Sequence, residues 1–213
     1  MVDDPTRYPL AKQVEDRALA AVLAVLLSPL FALAGASVAI GGLVVRRDRG
    51  PLLYREQRIS RGREFALLKF RVLRRDVVEG MADDEHARLY EADPANLTWA
   101  GRRVLKPWYL DELPQLFNVL RGEMSLVGPR PWPREMVARQ VEAGLDYRNR
   151  VPAGWTGPAQ VQKGEVETAH YTELDLAYVE ACRTWPGIRL VRYDLGILWR
   201  TVSVLIRGEG LRF

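Results

Sequence analysis

A chain of 213 residues, 48% hydrophobic and 27% charged, can bury a core and is too apolar to remain a disordered polymer. Its single cysteine, Cys182, excludes an intramolecular disulfide and suits a reducing compartment. Two histidines, His86 and His170, cannot build a zinc site with one cysteine unaided. The net charge of +4 comes without a nucleic-acid-binding motif, which argues against a nucleic-acid partner.

The chain opens with a polar segment, residues 1–17, and then runs from Ala18 to Val45 without a charged side chain. At about 1.5 Å per residue such a run could reach roughly 42 Å as an unbroken helix, against a hydrocarbon core of about 30 Å. Ser28-Pro29 interrupts it near the middle. Proline removes one helical donor and clashes with the preceding turn, and a serine hydroxyl can satisfy a carbonyl freed by the kink. Arg7, Lys12 and Arg17 flank one end, and Arg46, Arg47, Arg49 and Arg55 the other. Basic flanks mark the cytoplasmic side, so the charge rule cannot choose between the ends. A reentrant hairpin satisfies both flanks; a kinked span remains the alternative. The run is too long for a signal peptide.

Between Arg46 and Arg75 stand eleven Lys or Arg and three acids, followed from Asp76 to Asp93 by seven acids and only Arg88. Positive charge just after an apolar segment suits an anionic lipid surface or a phosphorylated substrate, although a solvated basic face has the same composition. Residues 52–57 and 65–70 read as short strands joined by a turn at Ser60–Arg63. Residues 76–92 read as an acid-rich helix that ends near Asp93-Pro94. A helix over 114–121 starts after Leu110-Asp111-Glu112, and another covers 133–146. Residues 150–162, with Pro152, Gly154, Gly157 and Pro158, read as loop with one strand at most. Two helices, 172–183 and 188–206, are separated by Trp185-Pro186-Gly187. Leu195, Leu198, Val202 and Ile206 form an apolar stripe on the last one, near Arg189, Arg192 and Arg200. It suits a membrane surface or a protein core equally.

The chemistry concentrates between Lys69 and Pro131. Asp111 and Glu112 are adjacent carboxylates at a helix start, with Pro114 in the first turn. Capping and the helix dipole alone account for such a pair. Gly128-Pro129-Arg130-Pro131 restrains an arginine between two prolines, a form suited to bidentate phosphate recognition. Lys69-Phe70-Arg71 adds two cations at a strand end, where successive side chains alternate between faces. Paired acids can hold Mg²⁺ beside substrate phosphates, or one can attack phosphorus to form an acyl phosphate. The residues support phosphoryl-transfer chemistry at a membrane surface.

The chain resembles the bacterial sugar transferases, monotopic phosphoglycosyl transferases that start glycoconjugate assembly. The matching pieces are the broken apolar segment with Ser28-Pro29, YREQRISRGREFALLKFR at 54–71 and LDELPQLFNVLRGEMSLVGPRP at 110–131. WTGPAQV at 155–161 and DLGILWRTV at 194–202 follow in family order. The resemblance implies an α+β, mostly helical fold. It has an N-terminal reentrant membrane helix-break-helix over 18–45 and one compact cytoplasmic catalytic domain over 46–213, with short strands and amphipathic interfacial helices. It implies transfer of a sugar-1-phosphate from a UDP-sugar to polyprenol (undecaprenyl) phosphate at the cytoplasmic face of the bacterial inner membrane, with release of UMP. Asp111 would be the nucleophile and a Mg²⁺ ligand, with Glu112 as its acidic partner. Lys69, Arg71, Arg130, Lys106 and Arg58 would supply substrate or phosphate contacts, and Ser28 and Pro29 the helix break. Partners implied are the UDP-sugar donor, the polyprenol phosphate acceptor and membrane lipid, with a homodimer left open. A non-catalytic membrane-anchored scaffold, or a bitopic protein binding anionic lipids, is the competing class; the Asp111-Glu112 pair argues against the scaffold.

Departures from the family pattern are local. Lys106 stands where an arginine is usual, five residues before Asp111, and keeps the charge without the fork. Val72-Leu73 replaces the common Ser-Met, and Pro152-Ala153-Gly154 replaces Pro-Gly. Gln162-Lys163-Gly164 stands in place of Asn-Gly-Arg, which puts donor identity most in question.

Overall fold

The computed structural model describes residues 8–81, 87–162 and 168–207. The protein is α+β and mostly helical, with two small two-stranded sheets. The chain divides into two compact units that interleave along the sequence. One holds Met1–Val22, Gln57–Phe65 and Leu116–Phe213; the other holds Leu23–Glu56 and Ala66–Gln115.

Two helices span the apolar segment: α1, Leu10–Leu26, and α2, Ser28–Val44. They meet at Leu27 with a bend of 63°. Pro29 lies in the first turn of α2, where its missing N–H forfeits a bond back along the chain. No single described helix is long and apolar enough to cross a membrane, but the bent pair together is. Leu10, Val14, Val22, Val25, Leu26, Leu33, Ile40, Leu43 and Val44 are exposed, an arrangement that leaves large apolar side chains facing outward on both helices.

In the second unit α2 buries a face of small residues, Ala34, Ser37, Val38 and Gly41. Phe31 packs edge-on against Phe70 at 6.2 Å. A hairpin of β1, Leu53–Ser60, and β2, Arg63–Phe70, turns at Arg61-Gly62. Both turn residues have positive φ (52° and 70°), as a two-residue hairpin turn of matching twist requires. The strands therefore run further than 52–57 and 65–70, up to the turn itself. The expected helix over 76–92 is two short pieces, α3 (Arg75–Gly80) and α4 (Ala87–Glu91). Then come a π-helical turn at Gly101–Leu105 and 3-10 turns at Lys106–Trp108 and Leu110–Glu112. Helix α5, Gln115–Arg121, follows.

The first unit contains β3, Ser125–Val127, α6, Arg134–Glu142, and β4, Gly154–Thr156. β3 and β4 pair in parallel, with Ser125 opposite Gly154 and Val127 opposite Thr156. Helices α7, Pro158–Val161, α8, Thr168–Thr184, and α9, Gly187–Arg207, complete the unit. Its core includes Leu116, Val119, Leu126, Tyr147, Val151, Tyr178 and Leu190. Lys12 of α1 lies inside it at 0% exposure, paired with Asp16 and, at 3.0 Å, with Asp194 of α9. On α9 the core face is Leu190, Asp194 and Ile197. Leu195 and Val202 are exposed and Leu198 half-buried, so much of the apolar stripe faces away from the core; beside it Trp199 is 73% exposed.

Candidate active site

Asp111 is placed by two consecutive tight turns. Tyr109, between them, takes the left-handed conformation (φ 54°), costly for a side chain with Cβ by about 1–2 kcal/mol. The reversal brings Lys106 and Asp111 face to face: Lys106 Nζ donates to Asp111 Oδ2 at 3.0 Å and to Glu91 Oε2 at 2.5 Å. Asp111 is 1% exposed, and its other oxygen, Oδ1, has no hydrogen-bond partner among the described residues. Burial raises the Asp111 pKa; Lys106 pulls it back, while the charge of Glu112 adds to the rise. Burial works against the charge of Lys106, yet Asp111 and Glu91 outweigh it and keep the ammonium protonated. The result is a carboxylate with one oxygen held by a cation and one unengaged.

Lys69, near the end of β2, pairs across the hairpin with Glu56 of β1 at 3.2 Å, and both are buried. Its charge also lowers the Asp111 pKa. Lys69, Lys106, Asp111 and Glu112 thus belong to the second unit, as does Arg71. Arg71 is 2% exposed, with its guanidinium spent on backbone carbonyls: Nε to Pro51 at 2.8 Å, Nη1 to Leu73 at 2.9 Å, and Nη2 to Asp48. In this arrangement it ties the strand end to the chain before the hairpin.

Arg58 and Arg130 belong to the first unit. Arg58 is buried, with Nη1 donating to the Gln57 carbonyl at 3.0 Å. Arg130 lies in the Gly128–Pro131 turn, which is seated backbone against backbone on β4. A Cβ on Gly154 would stand 2.1 Å from the Gly128 nitrogen, so only glycine permits this approach. A cavity of about 470 Å³ in the same unit, walled by Tyr8, Asp16, Arg17, Arg61 and Arg121 among others, holds none of the residues expected from sequence to act. Gln162 is described, while Lys163 and Gly164 lie outside the described residues.

Glu91 and Glu56 were missed in the sequence. Glu91 sits in an acid-rich stretch that reads as solvated surface, and nothing local marks its partnership with Lys106. Glu56 faces Lys69 only once the hairpin register is known.

Among the described residues no three Asp, Glu, His or Cys side chains converge as a metal cage. Asp111 Oδ1 is one hard oxygen donor. That fits Mg²⁺ shared between a single carboxylate, substrate phosphates and water, the usual mode for this ion.

The family model for bacterial sugar transferases matches residues 7–208. The undecaprenyl-phosphate galactose phosphotransferase of Salmonella typhimurium is 36% identical over 178 residues, 78% of this chain and 36% of that protein. The undecaprenyl-phosphate glucose phosphotransferase of Komagataeibacter xylinus is 36% identical over 194 residues, 85% of this chain and 34% of that protein. The UDP-glucose:undecaprenyl-phosphate glucose-1-phosphate transferase of Caulobacter vibrioides is 35% identical over 213 residues, covering 94% of this chain and 71% of that protein. The chain thus spans about a third of the first two relatives and more than two thirds of the third. By the extent of the family match and these identities, the chain belongs to the bacterial sugar transferase family.

Proposed function

We propose that the protein moves a sugar-1-phosphate from a UDP-sugar to undecaprenyl phosphate, releasing UMP, through an aspartyl phosphosugar on Asp111. The observation that carries this is the buried Asp111 carboxylate, with Oδ2 held by Lys106 and Oδ1 without a hydrogen-bond partner among the described residues. The names of the relatives supply the substrate class: undecaprenyl phosphate and, for the Caulobacter protein, UDP-glucose.

In the first step Asp111 Oδ1 attacks the phosphorus that bears the sugar. The bond from that phosphorus to the bridging oxygen breaks, and UMP departs with the electron pair. In the second step an oxygen of undecaprenyl phosphate attacks the same phosphorus and the Asp111 carboxylate leaves, giving the undecaprenyl diphosphate sugar. Glu112 accepts the proton of an acceptor phosphate that arrives as its monoanion. Lys69 and Arg130 neutralise phosphoryl oxygens, and Lys106 holds Asp111 in place and ionised. Bound Mg²⁺ would supply further neutralisation of phosphate charge, with Asp111 as its protein ligand. Because Asp111 is 1% exposed, donor binding must displace the side chains that cover it.

The membrane completes the reading. The bent α1–α2 pair, with its outward apolar side chains, enters and leaves the cytoplasmic leaflet, and the exposed Leu195, Trp199 and Val202 face of α9 lies along it. Both ends of the apolar segment then lie on the cytoplasmic side, and the acceptor is met without being extracted from lipid. The test is UMP release by detergent-solubilised protein given undecaprenyl phosphate, Mg²⁺ and a panel of UDP-sugars, beside Asp111→Asn. Release dependent on lipid and metal, abolished in the variant, is expected. Normal release by the variant would overturn the covalent route, and a metal-independent rate would remove Mg²⁺ from it.

A further inference from the structure

Arg148 takes no part in the reaction as written, yet it is among the most heavily committed side chains of the first unit. It lies in the 3-10 turn Tyr147–Asn149 and is 8% exposed. Nε donates to Gln140 Oε1 at 2.9 Å and Nη2 to Asp175 Oδ2 at 3.1 Å. Nη1 donates to the backbone carbonyl of Arg130 at 2.6 Å. Trp132 covers the guanidinium with its ring centre 3.9 Å away, and Tyr147 approaches at 4.9 Å.

A buried ion pair is seldom the most stabilising way to fill a core, and apolar residues of similar volume often do as well or better. What an apolar residue cannot do here is hold the Arg130 carbonyl. That carbonyl is the middle one of three fixed points on one short stretch. Gly154 N–H donates to the Pro129 carbonyl at 2.9 Å and Ile59 N–H to the Trp132 carbonyl at 3.0 Å. Pro129 and Pro131 offer no N–H and restrict φ on either side of Arg130. With its carbonyl pinned, the Arg130 peptide plane has little freedom, and the direction in which its side chain departs is set.

We propose that Arg148 is a positioning residue that aims Arg130 at the phosphate of the nucleotide-sugar donor. It does so through the Arg130 carbonyl, with Asp175 and Gln140 fixing its own orientation. This rests on the reading that Arg130 contacts phosphate. Lysine at 148 keeps the positive charge but can satisfy only part of the fork, so it isolates geometry from charge.

The experiment is a double-mutant cycle on steady-state transfer by the full chain in detergent, with UDP-glucose as the probe donor (or the UDP-sugar that releases most UMP). Arg148→Lys is expected to raise the donor KM about tenfold and to leave the acceptor KM near its wild-type value. In an Arg130→Ala background the same substitution is expected to add less than twofold, because the group it positions is gone. Equal effects of Arg148→Lys in both backgrounds, or equal increases in both KM values, would overturn the positioning role. So would a donor KM unchanged by Arg148→Lys while Arg130→Ala raises it. The underlying reading fails separately, if Arg130→Ala alone leaves the donor KM and kcat unchanged. Should Arg148→Lys not fold, Gln140→Leu removes the Nε acceptor while leaving the pair with Asp175. A smaller donor-specific KM rise that vanishes with Arg130→Ala is then expected, and additivity would again refute the proposal.

Discussion

Lys12 and Lys106, one in each unit, are each lodged among carboxylates, three around Lys12 and two around Lys106, and they differ in how those carboxylates are held. Lys12 pairs with Asp16 and Asp194, and Asp16 is saturated. Its Oδ1 also accepts from the Ser125 hydroxyl and the Leu126 N–H, and its Oδ2 from the Tyr8 hydroxyl. Lys106 pairs with Glu91 and Asp111, and Asp111 keeps one oxygen with no donor. Asp194 Oδ1 and the Glu15 oxygens also lack a hydrogen-bond partner among the described residues, so the clusters differ at one carboxylate. Asp16 is tied into the fold through both oxygens and makes Lys12 a fastener, whereas Asp111 has no donor beside Lys106.

The largest effect expected from this contrast is on Asp111. Asp111→Asn should lower turnover by roughly 10⁴-fold or more while leaving the unfolding temperature near wild type, as measured by UMP release and thermal denaturation. Lys12→Met should do the converse. Removing one partner of a buried ionic cluster costs about 3–5 kcal/mol, read as a lowered denaturation midpoint, with activity lost only in proportion to folded protein. If Lys12→Met cut kcat without destabilising the fold, the fastener reading would be wrong.

Lys106→Met sharpens the comparison through pH. If Asp111 is the nucleophile, as proposed, it must be ionised, so activity should fall as pH drops through its raised pKa. Lys106 opposes that rise; without it the pKa climbs further, and the acid limb of the kcat profile should move to higher pH. Lys106→Arg should restore the limb. The smallest effect belongs to a surface pair outside both clusters. Arg134 and Glu64 meet at 2.7 Å with both side chains largely exposed, and Arg134→Ala should change stability by about 0–1 kcal/mol.

What could be read in the chain was whatever is local in sequence. The Ser28-Pro29 break, the hairpin turn, the start of α5 after Asp111-Glu112 and the two C-terminal helices each follow from short-range turn, capping or periodicity rules. The pair β3–β4 was only half seen, because three-residue strands have little periodicity and their parallel pairing joins segments far apart in the chain. The ionic partners were hidden for the same reason: Glu91 lies in a stretch that looks solvated, and Asp194 in an amphipathic helix. Arg71 shows the opposite failure. Alternation along a strand correctly separated it from Phe70, but charge type cannot distinguish a phosphate ligand from a guanidinium that satisfies three carbonyls. Lys106 departs from the family pattern, and its single ammonium reaches both Glu91 and Asp111 without needing a fork.

The pairing of Lys12 with Asp194 also sets a timetable for biosynthesis. Asp194 is synthesised roughly 180 residues after Lys12, some 10–40 s later at about 5–20 residues per second. Through that interval the ammonium has its neighbours Glu15 and Asp16 but not the α9 carboxylate, and the pocket that will enclose it has not been synthesised. Until then α1 must wait in water or at the lipid surface with its lysine still hydrated. Of the two helices, the one made later, α9, locks α1 in place.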